Sequence, residues 1–269
     1  MRVNLKKTLF ILPNLFTLSS IFCGFYAIVL SGAAGADEEQ FYRAALLIVF
    51  AMFFDTIDGR VARLTRTQSA FGVQIDSLAD VVSFGVAPAL LVYRWSLDAL
   101  GFVGVVAAFA FAACGAIRLA RFNVLATTPS GAPSKPSKYI LGLPIPGAAG
   151  ILVSLVVANR AVAGHLPASP FIVLGVVLAL SVFMVSTIRF RSFKDLRLSW
   201  RTVLFVAVAL GSSAAIALRF HVSFALVWLL TSYILIGLAE ALINISKKRL
   251  RRRDKLAARA EEEKEPTRT

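Results

Sequence analysis

Four aspartates lie at fixed spacing in the first third of this 269-residue chain. Asp55 and Asp58 are three residues apart, and Asp76 and Asp80 are four apart. On a helix, each spacing places both carboxylates on one face, so two neighbouring helices can bring all four together. Hard oxygen ligands of this kind bind Mg²⁺ or Mn²⁺, ions that usually complete their coordination with phosphate oxygens. The pattern therefore predicts a site in which two metal ions hold a diphosphate.

The segments around the aspartates are too apolar for a soluble globule. Hydrophobic residues form 58% of the chain and the mean hydropathy is +0.75, whereas soluble domains contain about 45–50% apolar residues. Carboxylates at membrane depth are costly and usually functional, and a helix needs about 20 apolar residues to cross a bilayer. We therefore expect an all-α integral membrane protein with eight candidate spans, at 8–30, 43–58, 77–95, 99–119, 142–159, 170–188, 202–219 and 222–244.

Basic residues divide unevenly between the two sides of this predicted bundle. With a cytoplasmic N-terminus, the cytoplasmic segments hold all of the 29 Lys and Arg residues except Arg43, Arg94, Arg160 and Arg219. The positive-inside rule then predicts both termini in the cytoplasm and the aspartates at the cytoplasmic face of the cell membrane. The net charge of +14 is explained by this sidedness and by contact with anionic membrane lipid, so we expect no nucleic-acid partner.

The chain has no internal repeat that we recognise and no second soluble domain. We expect residues 1–246 to form one polytopic catalytic domain, followed by a basic cytoplasmic tail at 247–269. The tail suits a topology anchor that touches lipid headgroups, and a regulatory or targeting role is the alternative. The first apolar stretch is long and contains Pro13 and Asn14, which indicates a mature helix and not a cleavable signal. Asn14 could contact a nucleotide or cap a kink at Pro13.

The aspartates belong to a longer pattern, D-x2-D-G-x2-A-R-x8-G-x3-D-x3-D, that runs from Asp55 through Asp80. This pattern resembles the signature of the CDP-alcohol phosphotransferases, membrane enzymes that transfer a phosphate-bearing group from a cytidine diphosphate donor to an alcohol and release CMP. The resemblance implies that Asp55, Asp58, Asp76 and Asp80 bind two divalent metal ions, and that Asp80 is also the general base for the incoming hydroxyl. It further implies a CDP pocket lined by Gly59, Ala62, Arg63 and Gly72.

Other patches are similar to the phosphatidylserine synthase branch of that family, at 76–88, 118–123, 142–146 and 185–194, together with Pro13, Asn14 and Thr17 near the start. That resemblance implies CDP-diacylglycerol as donor, L-serine as acceptor, phosphatidylserine and CMP as products, and a homodimer. One alternative keeps the chemistry and changes the acceptor to glycerol 3-phosphate, inositol phosphate or choline. Another is a non-enzymatic transporter, which would spread its carboxylates over several helices.

A serine acceptor requires a cation or backbone donors for its carboxylate. Arg118 and Arg121 lie three residues apart at the end of the fourth predicted span, with Asn123 just beyond them. Arg189 and Lys194 follow the sixth predicted span. These residues are candidates for binding serine or phosphate. The arginines could equally be ordinary positive-inside anchors or contacts to the diphosphate.

Overall fold

Helices form almost all of the structure, a computed structural model that describes residues 5–65, 67, 69–126, 139–161, 169–191 and 211–212. Its elements are α1 Leu5–Gly32, α2 Glu38–Leu64, α3 Ala70–Asp80, a π-helix Val81–Val86, α4 Ala87–Trp95, a 3₁₀ turn Leu97–Leu100, α5 Phe102–Ala126, β1 Tyr139–Leu141, α6 Ile145–Ala161, α7 Pro170–Val185 and β2 Arg189–Arg191. The predicted spans at 202–219 and 222–244 and the tail at 247–269 lie outside the described residues, apart from residues 211–212.

Three stretches are long and apolar enough to cross a membrane: Pro13–Gly32, Ala70–Trp95 and Phe102–Leu125. The shorter helices α6 and α7 are also apolar. The first six predicted spans each coincide with a described helix, and the helical membrane character is confirmed. Helix α2 exceeds the prediction of 43–58 at both ends, because Asp37 caps its start and because it continues through the aspartate motif to Leu64.

The helix that carries the second aspartate pair begins earlier than predicted. Ser69 caps α3, since its Oγ accepts a hydrogen bond from Gly72 N–H at 3.0 Å. Asp76 and Asp80 therefore lie well inside a helix instead of at its first residues. The chain then passes without a break through the π-helix into α4, which ends at Trp95. Such a π-helix widens the turn locally, directly after Asp80.

Helix packing places the core between α1, α2, α4, α5, α6 and α7. Helix α1 lies along α2, α6 packs on α2, and α7 packs on α5. The largest fully buried side chains are aliphatic, aromatic and Met residues from five of the helices, the π-helix and the segments between them: Ile48, Phe84, Leu91, Leu97, Phe111, Leu143, Ile145, Leu152, Val177 and Met184 are among them. These contacts fix the helices that carry the aspartates against their neighbours.

A short antiparallel strand pair departs from the all-helical expectation. Strand β1 precedes α6 and β2 follows α7, with Ile140 opposite Phe190. The pairing continues where Gly142 N–H donates to Ile188 O at 2.8 Å. Gly142 has a φ of 74°, and a Cβ there would overlap Met184 O, so only glycine fits this turn. The strand pair joins the start of α6 to the end of α7.

Polar contacts identify two ends of the bundle. At one end, Glu39 near the start of α2 accepts hydrogen bonds from Arg43 at 3.0 Å and from Arg160 of α6 at 3.2 Å. Asp55 lies 16 residues further along α2, which corresponds to about 24 Å of helix. The end of α5 reaches the aspartates because Asn123 bonds to Ser77, next to Asp76. The end of α7 joins it there because Arg121 bonds to Val185 O. The exposed ion pairs of Glu39 and the aspartates of α2 therefore lie at opposite ends of this helix.

Candidate metal centre

Three aspartates from two successive helices converge at one end of the bundle. Carboxylate oxygens of Asp55, Asp76 and Asp80 all lie within 4.8 Å of one another. Asp55 comes from α2 and the other two come from α3. The Asp76–Asp80 spacing of four residues puts both on the α3 face that meets α2. We call these three residues the acidic cluster.

The acidic cluster fits a divalent cation. All three side chains are partly buried, and their carboxylate oxygens face one another within 4.8 Å. Asp80 Oδ1 is buried and lacks a hydrogen-bond partner within the described part of the chain. A buried oxygen of this kind needs a partner. Like charges at this separation also repel strongly in a low-dielectric setting, and a cation bound between them would satisfy both requirements.

Asp58 lies beside the acidic cluster and has a protein partner of its own. Its carboxylate is buried, with 5% of the residue exposed, and Oδ2 accepts a hydrogen bond of 2.7 Å from Thr17 Oγ1 on α1. It remains close enough for its charge to act on Asp55 and Asp76. The four predicted carboxylates thus occupy one site, but three form the tight group while Asp58 is bonded to the neighbouring helix.

Beyond Asp58, the last turns of α2 border open space. Gly59 is only half-buried, and a Cβ added to it would meet no atom of the described residues within 4 Å. Packing against those residues therefore does not explain a glycine here, whereas close approach of a ligand to the backbone would. Ala62 is half-buried and Arg63 is exposed in the last turn. These residues can line a pocket next to the carboxylates.

The two remaining nucleotide candidates lie at the edges of this region. Gly72 has a local structural role, because a Cβ there would lie 3.2 Å from Ser69 Oγ and would press on the hydroxyl that caps α3. Asn14 is half-buried in α1, one turn before Thr17 on the helix that bonds to Asp58. Its nucleotide role stays a prediction.

Arg118 is a described basic residue close enough to the acidic cluster for its charge to act on Asp80. Only 7% of this residue is exposed. The centre of its guanidinium lies 5.7 Å from the centroid of the Phe122 ring, a cation–π distance. A buried arginine at this position can attract an anionic group to the Asp80 side of the site.

Arg121, which shares the predicted face with Arg118, makes different contacts. Its guanidinium donates to three carbonyls at the end of α7: Val185 O at 2.7 Å, Ser186 O at 3.1 Å and Met184 O at 3.4 Å. A cation is favoured at a helix C-terminus, where the backbone carbonyls are otherwise unsatisfied. Arg121 therefore ties α7 to α5 in this structure.

Asn123 also links two elements of the site. Its Nδ2 donates to Ser77 Oγ at 2.9 Å, next to Asp76. Arg189 lies in β2 opposite Leu141, with its side chain outside the described part, and Lys194 is outside the described residues altogether. Sequence analysis named Asn123 as a serine or phosphate contact, which stays a prediction, and did not identify Ser77 as its partner. The signal for Ser77 is its position one residue after an aspartate on the same helix.

Sequence analysis named Thr17 as part of a resemblance and assigned it no contact. Its signal in the sequence is a stripe of small and hydroxyl-bearing residues, Thr17, Ser20 and Gly24, on a helix that is apolar over most of its length. The spacings of three and four residues place all three on one face.

Comparisons with known proteins agree with the geometry. A family model described as CDP-alcohol phosphatidyltransferase matches residues 10–187. Three relatives that match are named CDP-diacylglycerol--serine O-phosphatidyltransferase. The one from Helicobacter pylori strain J99 is 42% identical over 74% of this chain and 79% of its own length. The one from Bacillus subtilis is 34% identical over 68% and 91%, and the one from Methanocaldococcus jannaschii is 40% identical over 51% and 56%.

Proposed function

Since this chain belongs to the CDP-alcohol phosphatidyltransferase family, we propose that it transfers the phosphatidyl group of CDP-diacylglycerol to L-serine, giving phosphatidylserine and CMP. The observation that carries the proposal is the acidic cluster of Asp55, Asp76 and Asp80 beside the open space at Gly59. The names of the relatives support serine as the acceptor.

The carboxylates would hold Mg²⁺ or Mn²⁺, with two ions per site. Asp55, Asp76 and Asp80 supply oxygens from the tight group, and Asp58 supplies a further carboxylate beside it. When bound, the cations would neutralise the diphosphate and the charge that develops on the leaving phosphate. Arg63 and the backbone near Gly59 and Ala62 would bind the nucleotide, with Gly72 and Asn14 at the edges of the pocket.

Asp80 is the proposed general base. It would take the proton from the serine hydroxyl as the serine oxygen forms a bond to the phosphorus attached to diacylglycerol. The bond between that phosphorus and the bridging oxygen of the diphosphate breaks, and CMP leaves with the electron pair. Orientation of the two substrates at one membrane surface contributes by making the attack effectively intramolecular.

Arg118 is the first candidate for the serine carboxylate. It is buried, and its charge acts on Asp80, so an anion bound to it would lie close to the proposed base. Asn123 would support this side of the site through Ser77. Arg121 has an anchoring alternative in its bonds to α7, while Arg189 and Lys194 stay sequence-based candidates for phosphate or serine.

The proposed arrangement in the membrane follows the charge distribution. Eight spans with both termini in the cytoplasm would put the site at the cytoplasmic face of the cell membrane, within one catalytic domain of residues 1–246 and ahead of the basic tail at 247–269. The acyl chains of the donor could then stay in the bilayer while its head group reaches the carboxylates. A homodimer in contact with membrane lipid completes the proposal.

The test is CMP release by the purified protein in detergent with CDP-diacylglycerol and Mn²⁺ or Mg²⁺. L-serine would be compared with glycerol 3-phosphate, inositol phosphate and choline. We expect release that needs both serine and metal, with phosphatidylserine as the lipid product. Release with another alcohol alone would overturn the acceptor, and the absence of release with every alcohol, from folded protein, would overturn the enzymatic proposal.

A further inference from the structure

Helix α1 carries no carboxylate of the signature, yet it makes a direct polar contact with one of them. Thr17 Oγ1 lies 2.7 Å from Asp58 Oδ2 and 3.2 Å from Pro13 O one turn earlier in its own helix. Thr17 is 4% exposed and Asp58 is 5% exposed. A hydrogen bond to a carboxylate is stronger than one between neutral groups, and burial shields it from competition by water.

The rest of the same face of α1 is fixed against the helices of the site. Ser20 Oγ donates to Ala51 O of α2 at 3.2 Å, and Ser83 Oγ in the π-helix donates to Ser20 O at 2.9 Å. At Gly24, a Cβ would lie 2.7 Å from both Cα and Oγ of Ser83. Helix α1 therefore touches α2 and the π-helix with little room for rotation or sliding, and Thr17 is the member of this face that reaches a carboxylate.

The hydrogen bond from Thr17 to Oδ2 restricts rotation of the Asp58 carboxylate about its terminal bond. Partners of this type commonly orient metal-binding side chains, and their removal typically lowers metal affinity by about 10–100-fold.

We propose that Thr17 is a positioning residue that holds Asp58 beside the acidic cluster so that a second divalent cation can bind there. The proposal rests on the proposed function only in taking the carboxylates as metal ligands. Thr17 itself touches neither substrate nor metal. Its contribution is the orientation of Asp58, transmitted through one hydrogen bond from a helix outside the signature.

The test is Mn²⁺ binding to the purified protein without substrate. Binding is measured as the loss of the electron paramagnetic resonance signal of free Mn²⁺. We expect two sites in the wild-type protein and a dissociation constant about 10–100-fold higher for one of them in Thr17→Val. Thr17→Ser should bind as the wild type does, because it keeps the hydroxyl. Ser31→Ala is the matched control, since Ser31 is a buried α1 hydroxyl that bonds to Ala27 O within its own helix.

A double-mutant cycle distinguishes positioning from general destabilisation. In an Asp58→Asn background, Thr17→Val should cause little further loss of Mn²⁺ binding, because the group that Thr17 orients is already changed. Wild-type Mn²⁺ affinity in Thr17→Val, or an equal additional loss in the Asp58→Asn background, would overturn the proposal. So would a wild-type protein that binds no Mn²⁺.

The role of Thr17 can still be tested if Thr17→Val does not fold or if the protein does not catalyse the proposed reaction. If Thr17→Val does not fold, Thr17→Ala compared with Thr17→Ser isolates the hydroxyl in a pair that both lack the methyl group, and equal Mn²⁺ affinity in this pair would overturn the proposal. If the wild-type protein released no CMP with any alcohol but bound Mn²⁺ in a Thr17-dependent manner, the proposed function would fail while the positioning role held.

Discussion

Acidic residues at the two ends of the bundle are handled in opposite ways. At the end where α2 begins, Glu39 pairs with Arg43 and Arg160, and Asp98 lies 3.9 Å from Arg94. These side chains are substantially exposed, and such pairs contribute about 0–1 kcal/mol each. At the other end, the carboxylates of the acidic cluster face one another.

This difference between exposed ion pairs and clustered carboxylates shows what the acidic cluster requires. An exposed acid with an arginine partner is satisfied within the protein and by water. In the acidic cluster, Arg118 is the basic side chain seen to act on Asp80, and it opposes a cluster of three carboxylates with Asp58 close by. Among the described residues, the acidic cluster itself therefore carries more negative than positive charge, so its stable form should contain bound cations. The end where α2 begins, which we call the paired end, should be neither stabilised nor destabilised by cations.

The largest expected effect is on catalysis at the acidic end. Asp80→Asn removes the proposed base and a metal ligand while preserving side-chain size, so CMP release should fall by about 10²-fold or more. The matched variant is Asp98→Asn at the paired end, which should stay within about twofold of the wild type. Initial rates at saturating donor and serine would measure both. Comparable losses of CMP release in Asp80→Asn and Asp98→Asn would contradict the distinction between the two ends.

Metal ions should stabilise one end only. A ligand that binds the native state at about 100 times its dissociation constant adds about 2.7 kcal/mol to the free energy of unfolding. We therefore expect Mn²⁺ to raise the Tm of the detergent-solubilised protein, and Asp55→Asn to reduce that increase sharply. Glu39→Gln should keep the full increase. Thermal unfolding with and without a chelator is the measurement, and an unchanged response in Asp55→Asn would contradict the assignment of this residue as a ligand.

A smaller effect is expected at Gly59, where a substitution should weaken ligand binding without disturbing the packing of the protein. Gly59→Ala places a methyl group where the described residues leave at least 4 Å of room, and alanine in a helix is favoured over glycine by about 0.5–1 kcal/mol. The Tm should therefore stay level or rise, while the KM for CDP-diacylglycerol should rise by about tenfold because the pocket narrows.

Gly175→Ala is the control for that experiment. Gly175 lies in α7, and a Cβ there also meets no described atom within 4 Å, but the residue is not part of the proposed pocket. Its KM should match that of the wild type. An unchanged KM in Gly59→Ala would exclude close approach of the nucleotide at this position.

The smallest expected effect is at the paired end itself. Glu39→Gln breaks two exposed ion pairs, so the free energy of unfolding should fall by about 1 kcal/mol or less, with no change in CMP release. Chemical denaturation followed by circular dichroism would measure it. A large loss of activity would show that the two ends are coupled, and would end the distinction drawn between them.

Much of the fold was predictable because hydropathy reports directly on what a bilayer requires. The three stretches long enough to cross a membrane, and the shorter helices α6 and α7, each have an apolar core that a sequence window detects. The errors occur at element ends. Helix α2 begins at Glu38 and α3 begins at Ala70, because caps at Asp37 and Ser69 are hydrogen-bonded features that hydropathy does not report. The strand pair β1–β2 was missed because it joins segments about 50 residues apart.

The site likewise has features that the sequence predicts and features that it does not. The convergence of Asp55, Asp76 and Asp80 follows from helical spacing and a short connection between two helices. The contacts of the arginines do not, because Arg118 and Arg121 have the same type and neighbouring positions on the sequence. One acts on Asp80, and the other bonds to the end of α7. Only the position of α7 beside α5 distinguishes them.

The sequence by itself determined the acidic signature of this protein, the helical register of its carboxylates and the apolar, membrane-type character of the helices that carry them. These properties are local, since they depend on residue type and on spacings shorter than one helix. The tertiary structure alone decided that Asp58 bonds to Thr17, 41 residues away, and that Arg121 bonds to carbonyls 63–65 residues away. Such contacts are set by which helix faces pack together, and that choice is made by the whole core at once.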